Sequence, residues 1–288
     1  MKRSGLWLGV WLLSLGCVSA QVTMELSLDQ EQYLPGEALS VVVRITNRSG
    51  QTLTLGTDED WLKFAVESRD VPIVVRNGEA PVAEKIILDS AHAAIKRVNI
   101  APYFNLKSPG HYSVTATAVI KDWGKQINSA PVGFDVIHAA MLRELEFGVP
   151  LPPGESNRPP EVRKYTLLQA NYLKHLMLYF QLSEASGKLD KVFPLGRMLN
   201  NNLLDTQLDR VSNLHLLYQV GAHSSCYTMI SPDGELLKRQ TYEFTTYPRL
   251  KYDENGNVAV AGAARTEKPD DLPRPKIDAG EMKTPELK

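Results

Sequence analysis

Cysteine is nearly absent: the 288 residues hold two, Cys17 and Cys226. That excludes a small disulfide scaffold. An excess of charge of one sign is missing as well, with 32 Lys and Arg against 33 Asp and Glu. Phosphate neutralisation needs a clustered basic surplus, so bulk nucleic-acid binding has no electrostatic basis here. Beyond the first 20 residues no apolar run approaches the roughly 20 residues of a membrane-spanning helix. With 19 Gly and 18 Pro the chain is not collagen-like either. Catalytic signatures are lacking too. The six histidines, His92, His111, His138, His175, His215 and His223, never show the helical zinc-protease spacing. There is no serine nucleophile elbow, no phosphate-cradling glycine loop and no dinucleotide fingerprint. The expectation is a protein without metal or cofactor.

What is present begins with an address. Lys2 and Arg3 precede an apolar stretch from Leu6 to Leu15 and the small residues Val18-Ser19-Ala20. This is the pattern of a secretory signal peptide over residues 1–20, with cleavage after Ala20. The mature chain then keeps Cys226 as its single thiol and needs no transmembrane segment. The alternative reading takes Gly16-Cys17 as a lipoprotein processing site, with Cys17 lipidated. The expected location is therefore secreted or periplasmic.

From Met24 to Ile137 apolar residues recur at every second position, as in Met24, Leu26, Leu28 and Leu39, Val41, Val43, Ile45. Period two is that of strands with one buried face. Turn chemistry punctuates them at Leu34-Pro35-Gly36-Glu37, Asn47-Arg48-Ser49-Gly50, Asn77-Gly78 and Ser108-Pro109-Gly110. Further strands are expected at 53–55, 62–66, 73–75, 98–100, 112–120 and 132–137. A strand count of this kind in residues 21–137 predicts an antiparallel β-sandwich.

Three stretches carry a family likeness: Tyr33-Leu-Pro-Gly-Glu37, the alternation Leu39 to Ile45 ending in Thr46-Asn47, and Pro109-Gly110-His111-Tyr112-Ser113-Val114. They resemble the immunoglobulin-like modules, macroglobulin or fibronectin in style, of bacterial envelope proteins. The resemblance implies a sandwich in which Tyr112 packs at the corner. No cysteine pair bridges the sheets, so Trp61, Phe64 and Trp123 are expected to supply core bulk instead.

Residues 138–163 carry five prolines and read as a semi-rigid linker, although Met141 to Phe147 suits either a short helix or a strand. Residues 164–265 read as a second antiparallel β-meander. Leu176 to Leu182 resembles Leu214 to Val220 at an offset of 38 residues, and Leu250 to Val260 follows at a similar spacing. The turns Pro232-Asp233-Gly234 and Glu254-Asn255-Gly256-Asn257 signal hairpins. Such meanders resemble propeller blades, yet too few fit to close a ring. Residues 266–288 are rich in charge and proline and read as a disordered tail.

Candidate site residues are few. Asp58-Glu59-Asp60 before Trp61 are the candidate binding residues: they could present carboxylate oxygens to calcium, against the plainer reading of a solvated loop. Asn47-Arg48-Ser49 matches a glycosylation sequon. His223-Ser224-Ser225-Cys226 beside His215 invites a nucleophile reading, but strand alternation puts Ser224 and Cys226 on one face and His223 and Ser225 on the other. Cys226 is thus expected to be a core thiol, with Tyr112 and Trp123 as structural aromatics. The leading functional expectation is a non-enzymatic envelope protein that binds another protein or a polysaccharide, with homo-oligomerisation open. The alternatives are an extracytoplasmic glycan or ester hydrolase using carboxylates among Asp58, Asp60, Asp122, Asp190 and Asp233, and a protease-binding module. Mass spectrometry of the mature protein tests the address: an N-terminus at Gln21 is expected, and an acylated Cys17 would establish the lipoprotein alternative.

Overall fold

The alternation from Leu39 to Ile45 becomes a strand with one dry face in the computed structural model, which describes residues 22–149, 161–186, 188–254 and 256–272. Val41, Val43 and Ile45 are buried while Arg44 between them faces water. The expected signal peptide, the prolines of 150–160 and residues 273–288 lie outside the described residues.

The first unit is built from β1 (Val22–Leu28), β2 (Gln32–Tyr33), β3 (Ser40–Asn47), β4 (Leu53–Leu55), β5 (Leu62–Ser68), β6 (Ile86–Leu88), β7 (Ala93–Asn99), β8 (Gly110–Ile120), β9 (Lys125–Asn128) and β10 (Val132–Val136). One sheet runs β1-β3-β7; the other runs β2-β10-β8-β5, with β9 also on β8. The pairings are antiparallel apart from the short parallel contact of β2 with β10. This is a β-sandwich around one apolar core that includes Trp61, Phe64, Tyr112 and Phe134. Tyr112 sits at a corner: its hydroxyl donates to the Ser108 carbonyl at 2.6 Å and its ring stacks on Phe134 at 5.5 Å. Trp123, in a 3-10 turn (Lys121–Trp123), is half-buried against the same core.

The strand expected at 73–75 is not one. Ile73 and Val75 are exposed, and this segment is tied to the sandwich through the backbone of Val75, Arg76 and Asn77, bonded to Tyr103, Phe104 and Asn105. Alternation over three residues is too short to distinguish a strand from a loop that lays one side chain, here Val74, on a core.

The second unit comprises β11 (Ala140–Gly148), β12 (Val162–Tyr172), β13 (His175–Glu184), β14 (Leu189–Arg197), β15 (Asn200–Leu208), β16 (Leu214–Gly221), β17 (Ser224–Ile230), β18 (Leu236–Glu243), β19 (Arg249–Tyr252), β20 (Val258–Ala261) and β21 (Ala264–Thr266). Two antiparallel meanders, β11-β12-β13-β14 and β15-β16-β17-β18-β21, are accompanied by the β19-β20 hairpin. They do not close into a barrel or propeller.

The layers form a stack. Tyr165, Leu167, Phe180 and Leu182 of the first meander meet Leu214, Leu216, Tyr218 and Ile230 of the second in one core. The opposite face of the first meander, through Ala170, Tyr179 and Val192, packs on Leu34 of the sandwich. The far face of the second, through Leu217 and Tyr227, is covered by Leu250 and Val258 of the hairpin. Coverage on both faces explains why β13 and β16 read as near-continuous apolar runs rather than alternations. It also accounts for their likeness at an offset of 38: β13 is third in its sheet and β16 second, so the pattern marks covered strands at non-equivalent places.

Two expected boundaries move. Within 138–163, residues 140–148 form β11, where Phe147 stacks on Tyr165 at 3.9 Å. The prolines that break strands all fall later, from Pro150 on. Within 266–288, residues as far as Leu272 belong to the fold. Leu272 exchanges backbone hydrogen bonds with Arg239 at 2.7 and 3.1 Å, and Asp271 is 1% exposed.

The covering role of the hairpin is testable by thermal and denaturant unfolding. Leu217→Ala should cost about 2–5 kcal/mol, whereas Leu237→Ala, at an exposed position, should stay within about 0.5 kcal/mol. Equal effects would show that the far face of the second meander is not covered.

Candidate functional site

The residues singled out at Asp58 to Trp61 diverge. Trp61 turns into the core and its indole donates to the Val82 carbonyl at 3.0 Å. Asp58 pairs with Lys121 at 2.6 Å, and hydrogen bonds from Lys121 and Thr57 hold its carboxyl below the usual range. Asp60 lies 3.4 Å from Lys63, and Glu59 is exposed. Among the described residues no group of three or more His, Cys, Asp or Glu could hold a metal ion. The other carboxylates considered for hydrolysis are dispersed. Asp122 accepts the Thr54 N–H, Asp233 pairs with Arg163 at 2.9 Å, and Asp190 falls on β14. Asn47 is fully buried and its side-chain N–H groups donate to the carbonyls of Gln51 and Leu88, so the sequon is a turn anchor.

Cys226 packs between the two meanders and is 4% exposed, and burial pushes its thiol up. His215 is not its partner. It faces the hairpin side, with Nδ1 2.8 Å from the Tyr227 hydroxyl and Nε2 3.3 Å from Asp209. Asp209 also accepts the backbone N–H groups of Val211 and Asn213 and the Asn213 amide. Burial opposes its charge, but these bonds, with His215, prevail and hold the carboxyl below its ordinary value. His215 is pushed the other way: burial lowers it below 6.5, partly offset by Asp209. The neutral ring donating from Nε2 and accepting at Nδ1 satisfies all three groups. At 3% exposure it is a structural network.

Two larger recesses stand out among the described residues. One, of about 750 Å³, gathers His223, Ser224, Glu243 and Phe244, with no hydrogen bond joining the first three among the described residues. The other, of about 930 Å³, lies at the seam of the two units. Its floor is the Leu34-Pro35-Gly36-Glu37 turn, closed by the Glu37 N–H donating to the Leu34 carbonyl at 3.0 Å. Gly36 sits there at φ 84°, which a type II turn requires of its third residue. The Glu37 carboxylate is buried, accepting Gln30 at 3.0 Å and the Leu34 N–H at 2.9 Å, and burial raises its pKa. Asn77, Asn105 and Lys107 line the recess from the sandwich, Gln181 and Lys188 from the meander. A smaller recess of about 390 Å³ adjoins it at Gly36, Ala101 and Pro102 and is bounded by Lys191.

The seam is fastened by the apolar plug of Leu34, Ala170, Tyr179 and Val192 and by polar contacts. The Leu173 N–H donates to Gln32 at 2.7 Å, and the Glu31 N–H to the Tyr172 hydroxyl at 3.4 Å. Leu173 holds φ 53°, a costly conformation for a side-chain-bearing residue that this contact helps to maintain. Sequence reasoning read the Pro-Gly turn as fold grammar and did not connect it with Gln181, far along the chain.

No family model and no curated protein matches this chain. Among solved structures, the sporulation control protein Spo0M from Bacillus subtilis is similar at 11% identity over 62% of this chain and 90% of its own, with a TM-score of 0.31. The YadV chaperone is similar at 11% identity over 85% of this chain and 100% of its own, with a TM-score of 0.24. At these TM-scores neither neighbour bears on function.

The buried imidazole makes a pH prediction. Its folded pKa lies below the unfolded value near 6.5, so its contribution is present above that value and is lost as pH falls through it, when the unfolded state takes up the proton. Melting curves of the wild type should fall more steeply below pH 6.5 than those of His215→Asn. Parallel curves would contradict the assignment.

Proposed function

We propose that this protein is an exported, envelope-associated binding protein whose ligand site is the seam between its sandwich and its meander. The observation that carries the reading is the recess of about 930 Å³, to which both units contribute walls. Ligand sites favour such junctions because a concave surface is formed there without loss of either core. The side-chain amides of Asn77, Asn105 and Gln181 have no hydrogen-bond partner among the described residues, so they are available to a ligand without breaking an internal bond. The signal-like first 20 residues and the resemblance of the sandwich to bacterial envelope modules support the exported, envelope-associated part of the reading. The same setting suits a protein or polysaccharide partner.

Cross-linking of the tagged protein in its native envelope, followed by identification of the captured component, tests the reading. A component captured by the wild type and reduced at least several-fold with Asn105→Ala/Gln181→Ala is expected. Capture that is equal in both, or a protein that fractionates in the cytoplasm, would contradict it.

A further inference from the structure

The charge around the seam narrows the ligand, and the narrowing rests on the reading of the seam as a ligand site. Lys107 comes from the sandwich wall and Lys188 from the meander wall of the larger recess, and Lys191 bounds the smaller. Lys107 has no ion pair among the described residues. Among the described residues the Lys188 ammonium has only an exposed ion pair with Glu184 at 3.3 Å, which solvent screens to little worth. Lys191 donates to the Asp233 carbonyl at 2.6 Å, which leaves its charge unneutralised. The acidic residue among the lining groups, Glu37, is 4% exposed and directs both oxygens to Gln30 and the Leu34 N–H. The accessible lining charge is therefore positive on both walls.

We propose that the seam binds an acidic saccharide, a glycan bearing carboxylates along its length. Three free side-chain amides suit hydroxyl groups, because each amide donates and accepts at once. Pro102 and Leu106 give the recess apolar ground for the carbon faces of sugar rings. Lysines on opposite walls suit carboxylates spaced along a chain better than a single anion. An extended acidic peptide would instead be expected to use a free strand edge for its backbone, and the recess is walled mainly by loops and a turn on the sandwich side.

The test is calorimetric titration of the full-length mature protein with tetragalacturonic acid, cellotetraose and hexaglutamate. The uronide should bind, and binding should weaken as salt rises. It should weaken about tenfold or more in Lys107→Gln/Lys188→Gln, a loss of about 1.4 kcal/mol or more. Lys125→Gln, outside the recess, should leave it unchanged. Equal binding of cellotetraose, preference for hexaglutamate, no binding of any probe, or an unaffected double variant would each overturn the acidic-saccharide assignment. Cellotetraose or hexaglutamate binding that is lost in Gln181→Ala would overturn it while retaining the seam as a ligand site. Gln181→Ala and the lysine variants are compared at equal melting temperature, which separates loss of ligand contact from loss of fold.

Discussion

The first meander is covered on both faces, and the rest of the molecule is arranged around that constraint. A sheet with two apolar faces must have a partner on each side, since exposing either would leave an aggregation-prone surface. The second meander takes one face through Phe180 and Tyr218, and the sandwich takes the other through Leu34. The second meander then has its own outward apolar face, which the β19-β20 hairpin covers with Leu250 and Val258. Each layer thus creates the need for the next. The stack ends where the hairpin turns Lys251 and Tyr252 to water.

The seam follows from this geometry. The sandwich reaches the first meander with a tight turn, and a turn cannot match the full breadth of a sheet. Close contact is confined to the apolar plug around Leu34 and Tyr179, and open space is left beside it. Tyr179 shows the cost. It is fully buried with its hydroxyl unpartnered, and burial, with the nearby Glu37 charge, pushes its pKa up. Leu173 adds a backbone conformation held by Gln32. The junction thus carries one polar and one conformational penalty, which the contacts around them offset.

Much of the fold was legible in the sequence because strand burial writes itself in period two. Leu39 to Ile45 and Tyr112 to Ile120 alternate and fold as expected, and Pro35-Gly36 and Asp233-Gly234 mark real turns. Legibility failed where burial was two-sided or very local. Leu176 to Leu182 and Leu214 to Val220 looked like copies because both are covered strands, and Ile73 to Val75 looked like a strand because one residue in it reaches the core. The tail boundary was missed because Asp271 and Leu272 bury little apolar area and are held by backbone pairing and one polar contact with Thr241. The candidate site was hardly legible at all. Asp58 to Asp60 drew attention by proximity in sequence and disperse in space, whereas Asn77, Asn105 and Gln181 are ordinary residues that the packing of two units brings to one recess. Nothing local in their neighbourhoods signals it.

The dependence of the meander on the sandwich is open to direct measurement. Native-state hydrogen exchange can be followed at the amides of β12, β13 and β14 in the wild type and in Leu34→Ala, a change made in the other unit. Loss of the plug should lower protection across all three strands, because their shared face loses its cover. Loss of protection confined to the turn at 34–37, with the three strands unchanged, would contradict the account.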